Sequence, residues 1–301
     1  MPSKKRKCSN CRRPGHDKRT CFKHSFGLCY SKLSASLRHA PFSRCINATK
    51  KSEKKVKTED LGQIFEYAIC LSQKIPFDGN FKYSIEEATK LSERLEPLST
   101  FSPHPLTHTA ARGARYDFTE EGSVPPKHLS AKTTKSNNSK VAPQVIGQPK
   151  PKKFCDEISN NNLSNFKIPF VNIPTLKKDI QTKIIHILPY LIEYTFDSHI
   201  IYYNKESDSI KYIINNTLNT ISWGAYKYYW TRPYASILED NSTSEKKVWN
   251  SSSTFGIIKE EKRISLLEFQ FHSNGRSNMA IRWCFENFLN LFGEHLDITE
   301  L

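Results

Sequence analysis

The sequence predicts an α/β fold: a mixed central sheet flanked by helices, preceded by a small Cys-rich unit and a basic tether. Two observations carry the prediction. Helical periodicities come first, then a small group of strands, then another helix and more strands, an order that suits a mixed body. The chain's charge is also uneven. Residues 1–60 hold 17 Lys+Arg against 4 Asp+Glu, whereas residues 61–301 hold 28 against 26. The basicity belongs to an N-terminal arm, and the body is nearly neutral.

At 301 residues the chain is long enough for about two domains, or for one large domain with a tail. It contains no run of 18 apolar residues, so no membrane span is expected. Met1 to Lys7 is basic and lacks an apolar stretch, which is no secretory signal, so an intracellular protein, nuclear or cytoplasmic, is expected. Eight cysteines without an export signal point to thiols and metal ligands rather than disulfides. A polycationic arm is drawn to polyphosphate by counterion release, which makes nucleic acid the natural partner and a membrane surface a poor one.

Residues 1–21 read as one compact unit, 22–59 as a Ser/Lys-rich tether, and 60–301 as the folded body, with a core over 60–160 and a further part over 161–301. In the body, Leu61, Ile64, Phe65, Ala68 and Ile69 mark one buried helical face, with Asp60 as the expected N-cap. A second helix opens at Ser84, with Glu87 completing a capping box and Ala88, Leu91 and Leu95 forming its stripe. Strands are expected over Gly113–Phe118 and His128–Thr134, across a turn at Gly122–Pro126. Pro143 is a candidate helix start. Thr175–Tyr194 is helical, with Pro189 expected to kink it. His199–Asn204 and Ser209–Ile214 form a hairpin, Trp249–Lys259 and Arg263–His272 are strands, and Met279–Trp283 leads into a helix at Phe285–Phe292.

Cys8, Cys11, His16 and Cys21 stand as C-x2-C-x4-H-x4-C. Three thiolates and an imidazole at those spacings close a tetrahedron around Zn²⁺, and the metal then supplies folding free energy that so short a peptide lacks. The segment resembles a retroviral-type CCHC zinc knuckle, which implies binding of nucleic acid through Arg12, Arg13, Lys18 and Arg19. An aromatic residue usual inside the knuckle is missing, so contact with protein is a second reading. His24, Cys29, His39 and Cys45 follow no ligand spacing. The run KKRK at 4–7 reads equally as a nuclear address or as more phosphate-binding charge.

A second constellation lies in the body. Ser130 and Lys132 share a strand face, and a neighbouring strand would set Asp117 beside them. With Glu66 from the first helix, two carboxylates and a lysine converge. Asp117 and Glu66 are hard oxygen ligands suited to Mg²⁺, and Lys132 is suited to orienting water and countering charge. From Gly122 to Cys155 there are seven lysines and no acid, a local basic patch that includes Lys135 and Lys140.

This order of residues resembles the PD-(D/E)xK, or restriction-endonuclease-like, nuclease superfamily over about residues 60–150. The resemblance implies a Mg²⁺-dependent endonuclease that hydrolyses DNA phosphodiesters to leave a 5′-phosphate, with double-stranded DNA as partner; monomer and homodimer both stay open. It assigns Asp117 as the metal-binding Asp, Lys132 as the catalytic lysine, Glu66 as the helical glutamate, and Gln144 or Gln148 as a glutamine on the helix after the lysine. Ser130 takes the place of the second acid, and Tyr116 that of the proline. The second metal ligand is Glu66, with Glu157 or Glu268 as substitutes. The segment 266–289 resembles C-terminal strand–turn–strand segments of some type II restriction enzymes, which would turn Glu268, Gln270, His272, Arg276 and Arg282 to DNA. His108 reads as a turn histidine or an aid to phosphate binding. Tyr226, Tyr228, Tyr229 and Trp230 read as packing aromatics, with a base-stacking platform as the alternative. Competing readings are a non-catalytic nucleic-acid-binding or packaging protein and a three-carboxylate, ribonuclease-H-type enzyme.

Overall fold

The computed structural model describes residues 58–110, 114–144, 146–160, 167–231, 253–271 and 278–301. The knuckle ligands Cys8, Cys11, His16 and Cys21, the basic residues Arg12, Arg13, Lys18 and Arg19, and His272 and Arg276 lie outside the described residues. Chain contacts divide the molecule into Met1–Lys55 and Val56–Leu301. All that follows concerns the second unit.

Helix α1 (Thr58–Ser72) buries Leu61, Ile64, Phe65, Ala68 and Ile69, the stripe expected from spacing. It begins at Thr58, so Asp60 sits within the first turn, where its charge favours the helix dipole. Helix α2 (Ile85–Arg94) has Ser84 as its N-cap, whose hydroxyl accepts the Glu87 amide at 3.1 Å, with Ala88, Leu91 and Leu95 buried. A single turn, α3 (Leu98–Phe101), follows.

The first sheet has the order β1-β2-β3-β5-β6-β11. Its strands are β1 (Leu106–His108), β2 (Phe118–Glu120), β3 (Lys127–Thr134), β5 (His199–Asn204), β6 (Ser209–Asn215) and β11 (Leu296–Glu300). All neighbours are antiparallel except β3 and β5, which run parallel with Lys132 opposite Tyr202. The sheet is mixed, as expected, and takes β1–β3 from before residue 160 and the other strands from after it. The second sheet, β4 (Lys140–Val141), β10 (Met279–Cys284), β9 (Lys262–Phe271), β8 (Thr254–Lys259) and β7 (Lys227–Trp230), is antiparallel throughout.

Two expectations are corrected. The strand placed at Gly113–Phe118 is β2, which starts at Phe118 where the other was to end. Pro143 opens no helix: Gln144, Ile146 and Gly147 lie in turns, and helix α4 (Pro151–Asn160) starts on Pro151 instead, a proline suited to the first helical position. Gln144 is therefore on a turn, not on a helix. Helix α5 (Ile173–Phe196) contains Pro189 within its span. The hairpin β5–β6, and β10 leading into helix α6 (Phe285–Phe292), lie where the pattern put them.

Period-2 alternation splits the first sheet between two cores. Ile201, Tyr203, Ile210 and Tyr212 pack with α1 and α2. Ile200, Tyr202 and Ile213 pack with α5, α6 and the second sheet. Among the described residues no helix is long and apolar enough to cross a membrane.

Candidate active site

Asp117 stands where β2 begins. Its register with β3 starts at Phe118 opposite Leu129. One residue earlier the backbones no longer pair, and the Asp117 carboxylate takes over: its Oδ2 accepts the Ala131 amide at 2.8 Å. Asp117 is thereby fixed to the strand that carries Lys132. Glu66 arrives from α1, on the flank of its buried stripe. Its pKa is raised, chiefly by burial and further by the charge of Asp117, while His108 and Lys132 oppose the shift. A carboxyl that responds to both Asp117 and Lys132 shares one electrostatic neighbourhood with them.

His108, read from the sequence as a turn histidine or an aid to phosphate binding, stands at the end of β1. The ring is 6% exposed, stacks on Phe77 with centroids 4.6 Å apart, and places Nε2 3.6 Å from Glu66 Oε2. A strand of three residues gives no alternation to read, so the sequence held little sign of the strand or of the contact with Glu66.

Ser130 and Gln144 also come together, but beneath the surface. Ser130 is 0% exposed and Gln144 5%. With its amide nitrogen toward Asp197, Gln144 donates to Asp197 Oδ1 at 3.0 Å and to the Tyr194 carbonyl at 3.1 Å, and accepts from the hydroxyls of Ser130 at 2.5 Å and Ser198 at 3.1 Å. Asp197 also accepts from Tyr116 at 2.5 Å and pairs with Arg115 at 2.8 Å. Tyr116, at the proline position of the motif, stacks face to face on His128 at 4.0 Å. This network braces the start of β2 and the face of β3 that carries Lys132. Neither Asp197 nor Arg115 stood out in the sequence, because their pairing joins the end of α5 to the approach to β2.

The substitute metal ligands are engaged elsewhere. Glu157 pairs with Lys153 at 3.4 Å. Glu268 is held by Lys140 at 2.8 Å and Arg282 at 2.5 Å on the second sheet. Gln148 is exposed on a turn. Among the described residues no group of three or more His, Cys, Asp and Glu side chains could hold a metal ion, so the centre offers two carboxylates and no third.

Comparison with known proteins decides the family. The chain is 36% identical over 266 residues to the Type II restriction enzyme CviAII of Paramecium bursaria Chlorella virus 1, covering 86% of this chain and 68% of that protein. The chain belongs to the type II restriction enzyme family. No protein-family model matches it. No solved structure matches it either.

In this type II restriction-enzyme chain the expected DNA-facing residues are arranged as follows. Lys135 is half-buried on the turn after β3. Lys140 and Arg282 flank Glu268, and Arg282 also donates to Gln270 at 2.6 Å, so these four residues share one face of the second sheet. The four aromatics pack as follows. Tyr226 packs on Trp223 and Phe292, Tyr228 stacks on Phe255, and Trp230 is 7% exposed. Tyr229 is half-buried beneath Arg263.

Proposed function

We propose that this chain is a metal-dependent endonuclease that hydrolyses phosphodiester bonds in DNA at a centre of the PD-(D/E)xK type, made by Glu66, Asp117 and Lys132. The observation that carries the reading is the shared field of two carboxylates and a lysine where β2 leaves β3, in a chain of this family. Glu66 and Asp117 raise each other's need for a cation, and Mg²⁺ is satisfied by one or two carboxylates with water and phosphate oxygens filling the rest. The donor set therefore fits Mg²⁺, with Glu66 and Asp117 as its holders. Bound there, the ion lowers the pKa of water and offsets charge that builds on the phosphate.

The chain's own groups do the remainder. Asp117 is aimed by its bond to the Ala131 amide, so its free oxygen has a set direction. Lys132 supplies a positive charge beside the scissile phosphate and orients the attacking water. Ser130 and Gln144 act below it as positioning residues, holding β3 through Asp197 and Ser198 rather than touching DNA. Lys135 binds phosphate. Arg282 keeps 37% of its side chain exposed, which leaves donors for a base edge once Glu268 and Gln270 have fixed its orientation. Outside the described residues, Cys8, Cys11, His16 and Cys21 hold Zn²⁺ in a knuckle that adds nucleic-acid affinity, a reading supported by their spacing.

The test is cleavage of plasmid DNA with Mg²⁺ by the full chain, Asp117→Asn and Lys132→Ala. Cutting by the wild type alone supports the centre. Equal cutting by all three removes it, and binding of DNA without cutting by any favours a packaging protein.

A further inference from the structure

The strongest unassigned group is His108, and its surroundings define what it can do. Its ring is clamped between Phe77 and Phe118, with centroids 4.6 and 5.0 Å away, so its plane is set by stacking. The Asp78 amide donates to Nδ1 at 2.9 Å. A nitrogen that accepts a hydrogen bond carries no proton, so the ring's proton sits on Nε2. That Nε2 is buried and makes no hydrogen bond among the described residues, an arrangement that proteins seldom leave standing without use. The group in front of it is Glu66 Oε2 at 3.6 Å, only a few tenths of an ångström beyond a hydrogen bond. Gln63 Nε2 approaches the same oxygen at 3.3 Å, from one turn earlier on α1.

We propose that His108 is the positioning residue for Glu66: with Gln63 it draws Oε2 away and leaves Oε1 as the oxygen offered to a cation. The inference rests on the nuclease reading and deepens it. It differs from a phosphate-binding role, because the donor of a ring buried to this degree is directed at a protein carboxylate. It also accounts for a histidine on a short edge strand, since β1 pairs His108 with Phe118, the residue next to Asp117.

The test uses the full chain labelled with ¹⁵N-histidine, read by NMR, together with calorimetric titration of Mg²⁺ into the DNA-free protein and plasmid cleavage. His108 is expected as the Nε2-protonated tautomer, with an Nε2 resonance that moves in Glu66→Gln. His108→Phe keeps the stacked ring and removes the donor; it should weaken Mg²⁺ binding and cutting by about tenfold to a hundredfold. His108→Gln returns a donor near the Nε2 position and should recover most of both. An Nδ1-protonated ring, a resonance unmoved by Glu66→Gln, a His108→Phe protein equal to wild type, or a His108→Gln protein no better than His108→Phe would each overturn the assignment. If His108→Phe does not fold, the wild-type and Glu66→Gln spectra still decide. A wild type that cuts nothing defeats the nuclease reading by itself, whereas the tautomer and its response to Glu66 judge the histidine separately.

Discussion

Asp117 accepts the Ala131 amide at 2.8 Å, so the acid ahead of β2 and the strand that bears Lys132 form one hydrogen-bonded unit. The bond has a structural share and a chemical share, and two substitutions separate them. Asp117→Asn keeps an acceptor and loses the charge; Asp117→Ala loses both. We expect Asp117→Asn to melt close to wild type and cut no DNA. Asp117→Ala should cut none and lose about 1–2 kcal/mol, because the Ala131 amide is left without its partner. Thermal melts alongside plasmid assays check both.

Glu66 is held where its charged form is disfavoured, mainly by burial and then by Asp117. Because its folded pKa lies above the unfolded value, the folded state binds the proton more tightly, and stability falls as pH rises between the two. Glu66→Gln should therefore be more stable than wild type at neutral pH, by roughly 1 kcal/mol, while losing activity. Urea denaturation of the metal-free proteins measures the difference. A variant less stable than wild type would contradict it.

His199 gives the opposite slope. Burial, followed by the charge of Lys127, pushes its imidazole below the ordinary 6.5, against a smaller opposing effect of Glu120. Its Nδ1 lies 2.6 Å from the Tyr212 hydroxyl. The unfolded chain takes up that proton first, so stability is lost as pH falls through about 6.5 toward the folded value. His199→Gln should show a smaller drop in melting temperature between pH 7.5 and pH 5.5 than wild type does.

Gly256 lies opposite Tyr229 in the β7–β8 ladder. A Cβ there would come within 2.5 Å of the Tyr229 ring and 2.8 Å of the Ile264 carbonyl oxygen. The ring can swing aside, but the carbonyl belongs to β9 and cannot. Gly256→Ala should cost about 1–3 kcal/mol, and adding Tyr229→Ala should restore only part of it. A double-mutant denaturation series tests the split.

The elements legible in the sequence are those whose cause is local. The α1 stripe, the Ser84–Glu87 capping box and the β5–β6 hairpin each lie within a single short stretch of chain, the longest being His199–Asn215, and propensity, periodicity and turn chemistry decide them. That Ser130 and Lys132 lie on one strand was legible too, because both fall within β3. What could not be read depends on distant partners. Nothing near Leu106–His108 or Lys140–Val141 marks a strand; β1 and β4 exist because β2 and β10 offer their edges. The start of β2 was misplaced because an Asp117 side chain, not a turn residue, ends the ladder. Gln144 was put on a helix by a rule that Pro151 obeys and Pro143 does not: the Gln144 amide is tied to the Tyr194 carbonyl, fifty residues on, at 2.8 Å.

The single parallel seam between β3 and β5 carries a consequence for biogenesis. Two parallel neighbours need a long crossover, and here it spans everything between Thr134 and His199, including α4 and α5. The strand with the lysine thus acquires its inner neighbour only after the crossover residues have been synthesised, and the edge strand β11 follows nearly a hundred residues later still. A nascent or clipped product that ends before His199 carries Glu66, Asp117 and Lys132 yet lacks the strand that lies beside β3, so the sheet on which they sit is still incomplete.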